Sequence, residues 1–219
     1  MKISSIFYFI KEICVDTIDI VLPKSKIVLD LEKKTLSEWR ELSKVFEMDK
    51  KLSFLPYQNK DVRQAIWEIK YRRNKILKSI LGDIASEYIL EELADKLLLE
   101  NFAHPIISGI PASSRRNRDK GFNQSEDIGK YIALKLKIPY LMLLEKTRET
   151  VRQTTLKKQE RLLNVQNSFS LNKKAAETLK GKNIILFDDV TTTGATLNEA
   201  RKILLLGGAK KVICFTLAH

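Results

Sequence analysis

The pattern of apolar positions changes along the chain, from helical spacing in the first part to short apolar runs afterwards. Residues 1–50 predict two helical pieces broken near Pro23, and residues 53–59 are expected to form a connector. From Asp61, the expected N-cap, apolar residues recur at three- and four-residue spacing and predict a helix. A second helix is predicted from about 81 to 99. The first part of the chain is therefore expected to be mainly helical.

Short apolar runs separated by helical segments characterise the second part. The predicted strands cover 104–110, 139–144, 168–171, 183–187 and 211–218. Helices are predicted over 121–137 and 195–206, the latter ended by two glycines. Strands that alternate with helices predict an α/β protein with a mostly parallel sheet flanked by helices. We divide the chain into a helical N-terminal region, residues 1–59, and a domain over residues 60–219.

Composition narrows the class of protein. A hydrophobic fraction of 44% and a charged fraction of 30% are typical of a folded domain and exclude a disordered chain. No run approaches the roughly 18 apolar residues that a membrane-spanning helix needs, so we expect no membrane insertion. The apolar start is interrupted at Lys11 and Glu12, before it reaches the pattern of a signal peptide. We therefore expect a cytoplasmic protein.

Cysteine content and net charge bear on the ligands. Cys14 and Cys214 are the two cysteines, and with two histidines they are too few for a four-ligand zinc site, so no zinc is expected. The net charge of +12 indicates an anionic partner, such as a phosphorylated small molecule, nucleic acid or acidic lipid. The alternative is a lysine-rich surface that serves solubility alone.

An acidic pair followed by a threonine-rich turn carries most of the chemical information. Asp188 and Asp189 follow four apolar residues of a predicted central strand, and the turn 191–194 leads into a predicted helix. Ligands bind at the carboxyl ends of parallel strands, and amides at a helix start bind anions. Two carboxylates, which only accept hydrogen bonds, suit two hydroxyls of one sugar. The motif predicts a ribose 5-phosphate site, whereas capping a turn would require only one acid.

A basic loop leaves the end of another predicted strand, 104–110, and is expected at the same edge of the sheet. Its cations are Arg115, Arg116, Arg118 and Lys120. Concentrated positive charge with bidentate donors suits a diphosphate. The alternative is an ordinary solvated basic loop.

Several motifs occur in one order along the chain. They are Ile69-Lys70-Tyr71, Gly121-Phe122-Asn123-Gln124, Thr150 with Gln153, Arg161, Asn164, Phe169, the acidic pair with its turn, and Leu217-Ala218-His219. Over residues 60–219 the chain resembles the ComF/GntX family of phosphoribosyltransferase-like proteins. The resemblance implies the type I phosphoribosyltransferase fold and a site for 5-phosphoribosyl diphosphate (PRPP).

The resemblance also implies roles for individual residues. Asp188 and Asp189 would hold the ribose 2′- and 3′-hydroxyls. Mg²⁺ would bind oxygens of PRPP, and no metal site would be formed by protein ligands alone. The 5′-phosphate would be wrapped by Thr191, Thr192, Thr193, Gly194, Ala195 and Thr196. In related enzymes a mobile loop closes over PRPP. The candidate residues of that loop in this chain are Arg148, Arg152 and Gln153. The alternative for 145–161 is an exposed basic loop.

Two departures from the family pattern are visible. Family members often begin with a four-cysteine zinc module, whereas Cys14 is the one cysteine before residue 214, so the module is expected to have lost its metal. Lys120 stands where the family usually has arginine, which keeps the charge and loses the planar fork.

Two functions follow from these features. The first is transfer of a phosphoribosyl group from PRPP to an unknown acceptor. The second is a non-catalytic or DNA-binding protein that supports uptake of single-stranded DNA and associates with the DNA-uptake machinery, because ComF relatives are associated with natural competence. The two functions can coexist. Its candidate contacts to single-stranded DNA are Arg72, Arg73 and Lys75, beside the aromatic residues Tyr57, Trp67 and Tyr71, of which Trp67 is expected in the core. Exposed aromatic residues along a basic helix would favour the DNA-binding role.

Overall fold

The computed structural model describes residues 24–48, 51–112, 123–148 and 164–219. The helices are α1 Lys26–Lys33, α2 Leu36–Leu42, α3 Lys60–Arg72, α4 Lys75–Glu100, α5 Gln124–Leu136, α6 Ala176–Leu179 and α7 Ala195–Leu206. The strands are β1 Phe46–Met48, β2 Lys51–Leu55, β3 Ile106–Gly109, β4 Leu144–Lys146, β5 Phe169–Leu171, β6 Asn183–Val190 and β7 Lys211–Ala218.

The main sheet has five strands in the order β1-β2-β7-β6-β3, and every neighbouring pair except β1–β2 is parallel. β6 and β7 lie at its centre, and both read as nearly continuous apolar runs, as expected for strands covered on both faces. β4 and β5 form a separate antiparallel ribbon. The mostly parallel α/β architecture is confirmed.

Alternate side chains of the central strands point into two different core layers. Ile185 and Phe187 of β6 pack in one cluster with residues of α3, α4 and α5. Ile184 and Leu186 pack in the other cluster with α7 and the β4–β5 ribbon. Because both faces of β6 are covered, its backbone is fixed firmly up to its carboxyl end, where the acidic pair begins.

The predicted connector at 53–59 is wrong in its first half. β2 is buried along its whole length and pairs in parallel with β7, with Leu55 opposite Ala218. The strand escaped recognition because Lys51 and Ser53 interrupt its apolar pattern, although the Ser53 hydroxyl bonds to Thr216 Oγ1 at 2.6 Å. A strand of the main sheet therefore precedes the boundary drawn between residues 59 and 60.

Several element boundaries also differ from the prediction. The N-cap of α3 is Asn59, whose Oδ1 accepts from the amides of Asp61 and Val62, so the assignment of Asp61 as cap is wrong. α4 begins at Lys75 after an Asn74 cap, well before residue 81. The predicted strand at 139–144 holds one parallel bridge between Tyr140 and Ile107, and β4 begins only at its last residue, Leu144.

Within the residues that the structure describes, no helix combines the length and the apolar character needed to cross a membrane.

Candidate functional site

The acidic pair lies at the carboxyl end of β6 and is held by two different helices. Asp188 Oδ1 accepts hydrogen bonds from Ser125 Oγ of α5 at 2.7 Å and from the Asp189 amide at 2.9 Å. Asp189 Oδ1 accepts from the Val190 amide at 2.9 Å, and its Oδ2 lies 3.2 Å from Lys70 Nζ of α3. Both carboxylates are therefore oriented at the edge of the sheet where ligands of parallel α/β proteins bind.

The electrostatics of this pair differ between its two members. Burial raises the pKa of Asp188 to about 7, and the neighbouring charge of Asp189 acts in the same direction. Hydrogen bonds from Ser125 and from the Asp189 amide oppose that rise. The ionised form of Asp188 can only accept hydrogen bonds, whereas its protonated form carries one O–H donor and keeps fewer acceptor sites.

The loop after the pair leads into α7 at a glycine. Gly194 is the N-cap, with φ of +69°, and makes no side-chain cap of its own. Thr193 Oγ1 accepts a hydrogen bond of 3.4 Å from the Ala195 amide. Thr191 is buried, and its amide extends the sheet by donating to Ala218 O. Amides at such a helix start favour an anion such as phosphate.

A lysine from β2 lies directly against this loop. Lys51 is 4% exposed, and its Nζ donates to Asn198 Oδ1 of α7 at 3.0 Å. A Cβ atom added to Gly194 would lie 2.6 Å from Lys51 Nζ. Glycine at this position therefore serves two needs, the positive φ and the close approach of the lysine side chain.

Most of the predicted diphosphate-binding and loop residues lie outside the described part of the chain. This holds for Arg115, Arg116, Arg118 and Lys120, and also for Arg152 and Gln153. Arg148 is described, and its guanidinium donates to the carbonyls of Asn164 and Gln166 at 3.1 and 2.7 Å. Arg148 thus ties together the two chain ends that flank residues 149–163.

The basic helix α3 lies beside the acidic pair through Lys70. Arg72 lies 3.9 Å from the buried carboxylate of Glu68, Arg73 ends the helix in the left-handed conformation, and Lys75 is exposed at the start of α4. Because Arg72 lies beside the buried carboxylate of Glu68, it contributes to the stability of the fold in addition to any contact with DNA.

The prediction that Trp67 belongs to the core is wrong. Trp67 is 44% exposed and Tyr71 is 53% exposed, and their rings lie 5.2 Å apart at 36°. The core face of α3 is formed instead by Ile66 and Ile69, on the other side of the helix. An aromatic pair therefore faces solvent on the helix that also supplies Lys70.

Three residues at the site were missed in the sequence: Ser125, Lys70 and Lys51. Ser125 directly follows the Gly121–Gln124 motif, so that motif was a usable signal for it. Lys70 belongs to the Ile69-Lys70-Tyr71 motif, but its partner Asp189 is 119 positions away, so the contact had no local signal. Lys51 had no local signal, since its partner Asn198 is 147 positions away.

The described residues hold no group of three or more His, Cys, Asp or Glu side chains placed to bind a metal ion. Two carboxylates that already accept hydrogen bonds suit a Mg²⁺ ion that arrives with ligand oxygens. A cavity of about 490 Å³ lies at the other end of the sheet, lined by residues such as Lys96, Arg201 and Lys211. In that cavity Lys96 and Lys211 form ion pairs with Glu100, so these cations stabilise the structure by pairing within the protein.

Comparison with known proteins places these features in a family. Residues 124–219, which include the acidic pair and the loop, match the family described as phosphoribosyl transferase domain. Competence protein ComFC of Streptococcus pneumoniae is 38% identical over 110 residues, 50% of this chain and 46% of that protein. ComFC of Bacillus subtilis is 32% identical over 161 residues, 73% of this chain and 60% of that protein. This chain belongs to the ComF family of phosphoribosyltransferase-like proteins.

The ComF assignment confirms the type I phosphoribosyltransferase-like fold expected from the motifs. The matched segments span about half to three-fifths of these two relatives. Among solved structures, adenine phosphoribosyltransferase from Leishmania tarentolae aligns with 80% of this chain and 94% of its own, at 13% identity and a TM-score of 0.43. With so distant a likeness, the fold rests on the family match and on the strand order.

Proposed function

We propose that this protein binds PRPP with Mg²⁺ at the carboxyl edge of the main sheet and transfers the phosphoribosyl group to a nucleophile. The observation that carries the proposal is the placement of Asp188 and Asp189 immediately before the loop in which α7 starts at Gly194. A pair of acceptors next to an anion-binding helix start matches a ribose that carries a 5′-phosphate.

The residues of the site would have different roles in that reaction. The carboxylates orient the ribose, and the amides after Gly194 hold the 5′-phosphate, so the C1 carbon is fixed for attack. Bound Mg²⁺ would neutralise charge on the leaving diphosphate. The bond from C1 to the diphosphate oxygen breaks as the bond from C1 to the acceptor forms. Residues 113–122, with their four cations, are the candidates to receive the diphosphate.

Calorimetric titration with PRPP tests the binding step. The wild-type protein should bind PRPP in the presence of Mg²⁺, and Asp188→Asn with Asp189→Asn should weaken binding strongly because two hydroxyl acceptors are altered. Asp95→Asn, an exposed change on α4, is the matched control and should leave binding unchanged. A folded wild-type protein that does not bind PRPP would contradict the proposal.

The transfer step needs a separate assay, in which PRPP consumption is followed with nucleobases and with amines as acceptors. Diphosphate release that requires one acceptor class would support the enzyme and identify that class. PRPP binding without release in any mixture would restrict the proposal to a binding protein.

A second candidate function, binding of single-stranded DNA, is favoured by the exposed Trp67–Tyr71 pair. Lys60, Arg63, Trp67 and Tyr71 are all exposed and recur at helical spacing, so they form one stripe along α3. Aromatic rings that stack bases, next to cations that neutralise phosphates, are typical of single-strand binding surfaces. The names of the two ComFC relatives support a role in competence. In that role the protein would associate with the DNA-uptake machinery, and a cytoplasmic location would suit either function.

The DNA proposal is tested with an oligothymidylate titrated at several salt concentrations. Affinity should fall as salt rises, since neutralised phosphates release counterions. If no DNA binds even at low salt, α3 is only a solvated surface and the phosphoribosyltransferase function gains. No structural zinc is expected in either case, and elemental analysis that found stoichiometric zinc would contradict that.

A further inference from the structure

A histidine lies beside the loop that is proposed to hold the 5′-phosphate. His219 directly follows β7, and its ring Nδ1 lies 3.3 Å from the carbonyl oxygen of Thr191, the first residue of the loop. Its backbone is fixed to the neighbouring segment, because its amide donates to Leu55 O at 3.1 Å and its carbonyl accepts from the Tyr57 amide at 2.9 Å. The ring is therefore anchored at the carboxyl edge of the main sheet.

The contact with Thr191 determines which ring nitrogen of His219 carries the proton. A carbonyl oxygen can only accept a hydrogen bond, so Nδ1 is the donor. In the neutral ring the other nitrogen, Nε2, then carries a lone pair and no proton. Nε2 makes no hydrogen bond or ion pair with any residue that the structure describes. The half-buried ring thus offers a proton acceptor that the fold itself does not use.

The proposed reaction has a proton to remove, and few groups of the site can take it. Water or an amine loses a proton when it becomes bonded to C1. Asp188 and Asp189 are assigned to the ribose hydroxyls, and the ammonium groups beside the site can only donate. Residues 190–196 carry apolar side chains, threonine hydroxyls and a glycine, none of which takes a proton near neutral pH. Imidazole is the side chain that enzymes use most often for this step, which directs attention to His219.

The position of His219 relative to the expected leaving group agrees with this role. β6 has β3 on one side and β7 on the other. The chain that follows β3 is proposed to receive the diphosphate, so the leaving group would depart on the β3 side. In a direct displacement at the C1 carbon of a sugar, the nucleophile attacks from the opposite face. In this sheet the opposite side is that of β7, where His219 lies.

We propose that His219 is the general base of the transfer reaction. The bond between C1 and the diphosphate oxygen breaks and its electron pair leaves with the diphosphate, while a lone pair of the acceptor forms the new bond to C1. The proton of the acceptor passes to Nε2 and is then released to water. The inference rests on the proposed function, since it assumes that PRPP lies at this edge of the sheet with its C1 carbon open to attack.

The test compares two acceptors in the presence of PRPP and Mg²⁺, with diphosphate release as the readout. Water must lose a proton when it attacks C1, whereas azide is an anion that has no proton to lose. Both are small enough to reach C1 whatever the natural acceptor is. His219→Asn removes the base and keeps an N–H group near the Nδ1 position for the bond to Thr191 O. His104→Asn, at an exposed histidine before β3 with φ of +48°, is the matched control, since asparagine tolerates that conformation.

His219→Asn should release diphosphate with water about a hundredfold more slowly than the wild type, and with azide at a rate close to that of the wild type. Its affinity for PRPP, measured by calorimetry, should be unchanged. His104→Asn should match the wild type in all three measurements. Equal slowing with both acceptors, or no slowing, would overturn the assignment of His219 while PRPP binding by the wild type stands.

A comparison of rates in H₂O and D₂O tests the same assignment on the wild-type protein, so the result does not depend on whether the variant folds. Diphosphate release with water should be slower in D₂O, because a proton moves in that step, and release with azide should be nearly equal in the two solvents. Equal rates with water in both solvents would contradict a general base. If the wild type binds PRPP but releases no diphosphate with either acceptor, the transfer step and the role of His219 fail together. A wild type that does not bind PRPP contradicts the proposed function as a whole.

Discussion

Lys70 Nζ lies 3.2 Å from Asp189 Oδ2, although the two residues are 119 positions apart in the sequence. The contact joins the basic helix α3 to the acidic pair. A cation of α3 is therefore in direct contact with the acidic pair.

Lys70→Met should shift the pH dependence of PRPP binding upward. Loss of the cation leaves the negative charge beside Asp188 less balanced, which favours the protonated form of Asp188, whose pKa burial already raises to about 7. Binding should weaken at pH 7 and recover in part near pH 9. Lys78→Met, whose ammonium pairs with Asp127 at 3.0 Å, is the matched control. Titrations that give the same midpoint for the Lys70 variant and the wild type would rule out this coupling.

Asp188→Asn should stabilise the protein without ligand at pH 8. Because burial raises the pKa of Asp188 in the folded state, the folded protein binds more protons than the unfolded chain between about pH 4 and 7. Stability should therefore fall as the pH rises through this window and level off above it. Asparagine avoids the buried charge and retains an oxygen for the bonds from Ser125 and the Asp189 amide, both of which end on Oδ1.

Thermal unfolding measured at pH 5 and pH 8 checks this expectation. A gain of about 1 kcal/mol corresponds to roughly 2–4 °C in Tm for a chain of this size. The gain should be larger at pH 8 than at pH 5. Equal shifts at both pH values would mean that the charge of Asp188 is not the cause.

Gly194→Ala should destabilise the protein by more than its backbone conformation alone requires. A left-handed conformation costs a non-glycine residue roughly 1–2 kcal/mol, and the new methyl group would also meet Lys51. Gly181→Ala is a matched control, since Gly181 has φ of +68° and no atom lies within 4 Å of the added Cβ. Urea unfolding should show a greater loss at 194 than at 181. Equal losses of unfolding free energy would show that the Lys51 side chain moves aside without a cost in stability.

Arg63→Gln with Lys75→Gln should make the salt dependence of DNA binding shallower. Each lost phosphate contact on a single strand reduces the slope of log affinity against log salt by about 0.7. Replacing Arg72, Arg73 and Lys75 by Ala is expected to reduce it by about two units. That triple variant also removes the cation beside buried Glu68, so the pair of exposed changes separates DNA contact from folding.

Trp67→Ala provides an independent test of the same surface. Because Trp67 is 44% exposed, its loss should weaken DNA binding by about 1–3 kcal/mol and leave the free energy of unfolding nearly unchanged. Trp39→Ala, at a fully buried tryptophan, should instead lower the free energy of unfolding strongly. An unchanged DNA affinity for Trp67→Ala would exclude base stacking on this residue.

Features encoded within one local segment were predictable from the sequence. The apolar run of β6, the acids at its end and α7 with its two terminal glycines follow directly from strand and helix patterns, and the helix 195–206 is confirmed at both ends. Features that depend on distant segments were not predictable. The sequence of β2 is interrupted by polar residues, and its burial depends on the hydrogen bond between Ser53 and Thr216, which is far away in the sequence. The exposure of Trp67 depends on which face of α3 packs against the sheet.

The pairing of β2 with β7 has a consequence for the order in which the protein folds. Lys51 is opposite Cys214, so this part of the sheet joins segments made early and late in synthesis, and contacts of such high sequence separation form slowly. Until β2 docks, α7 lacks the lysine beside its first turn. An intermediate that has assembled only β3, β6 and β7 would therefore carry the acidic pair and the loop without the neighbouring charge.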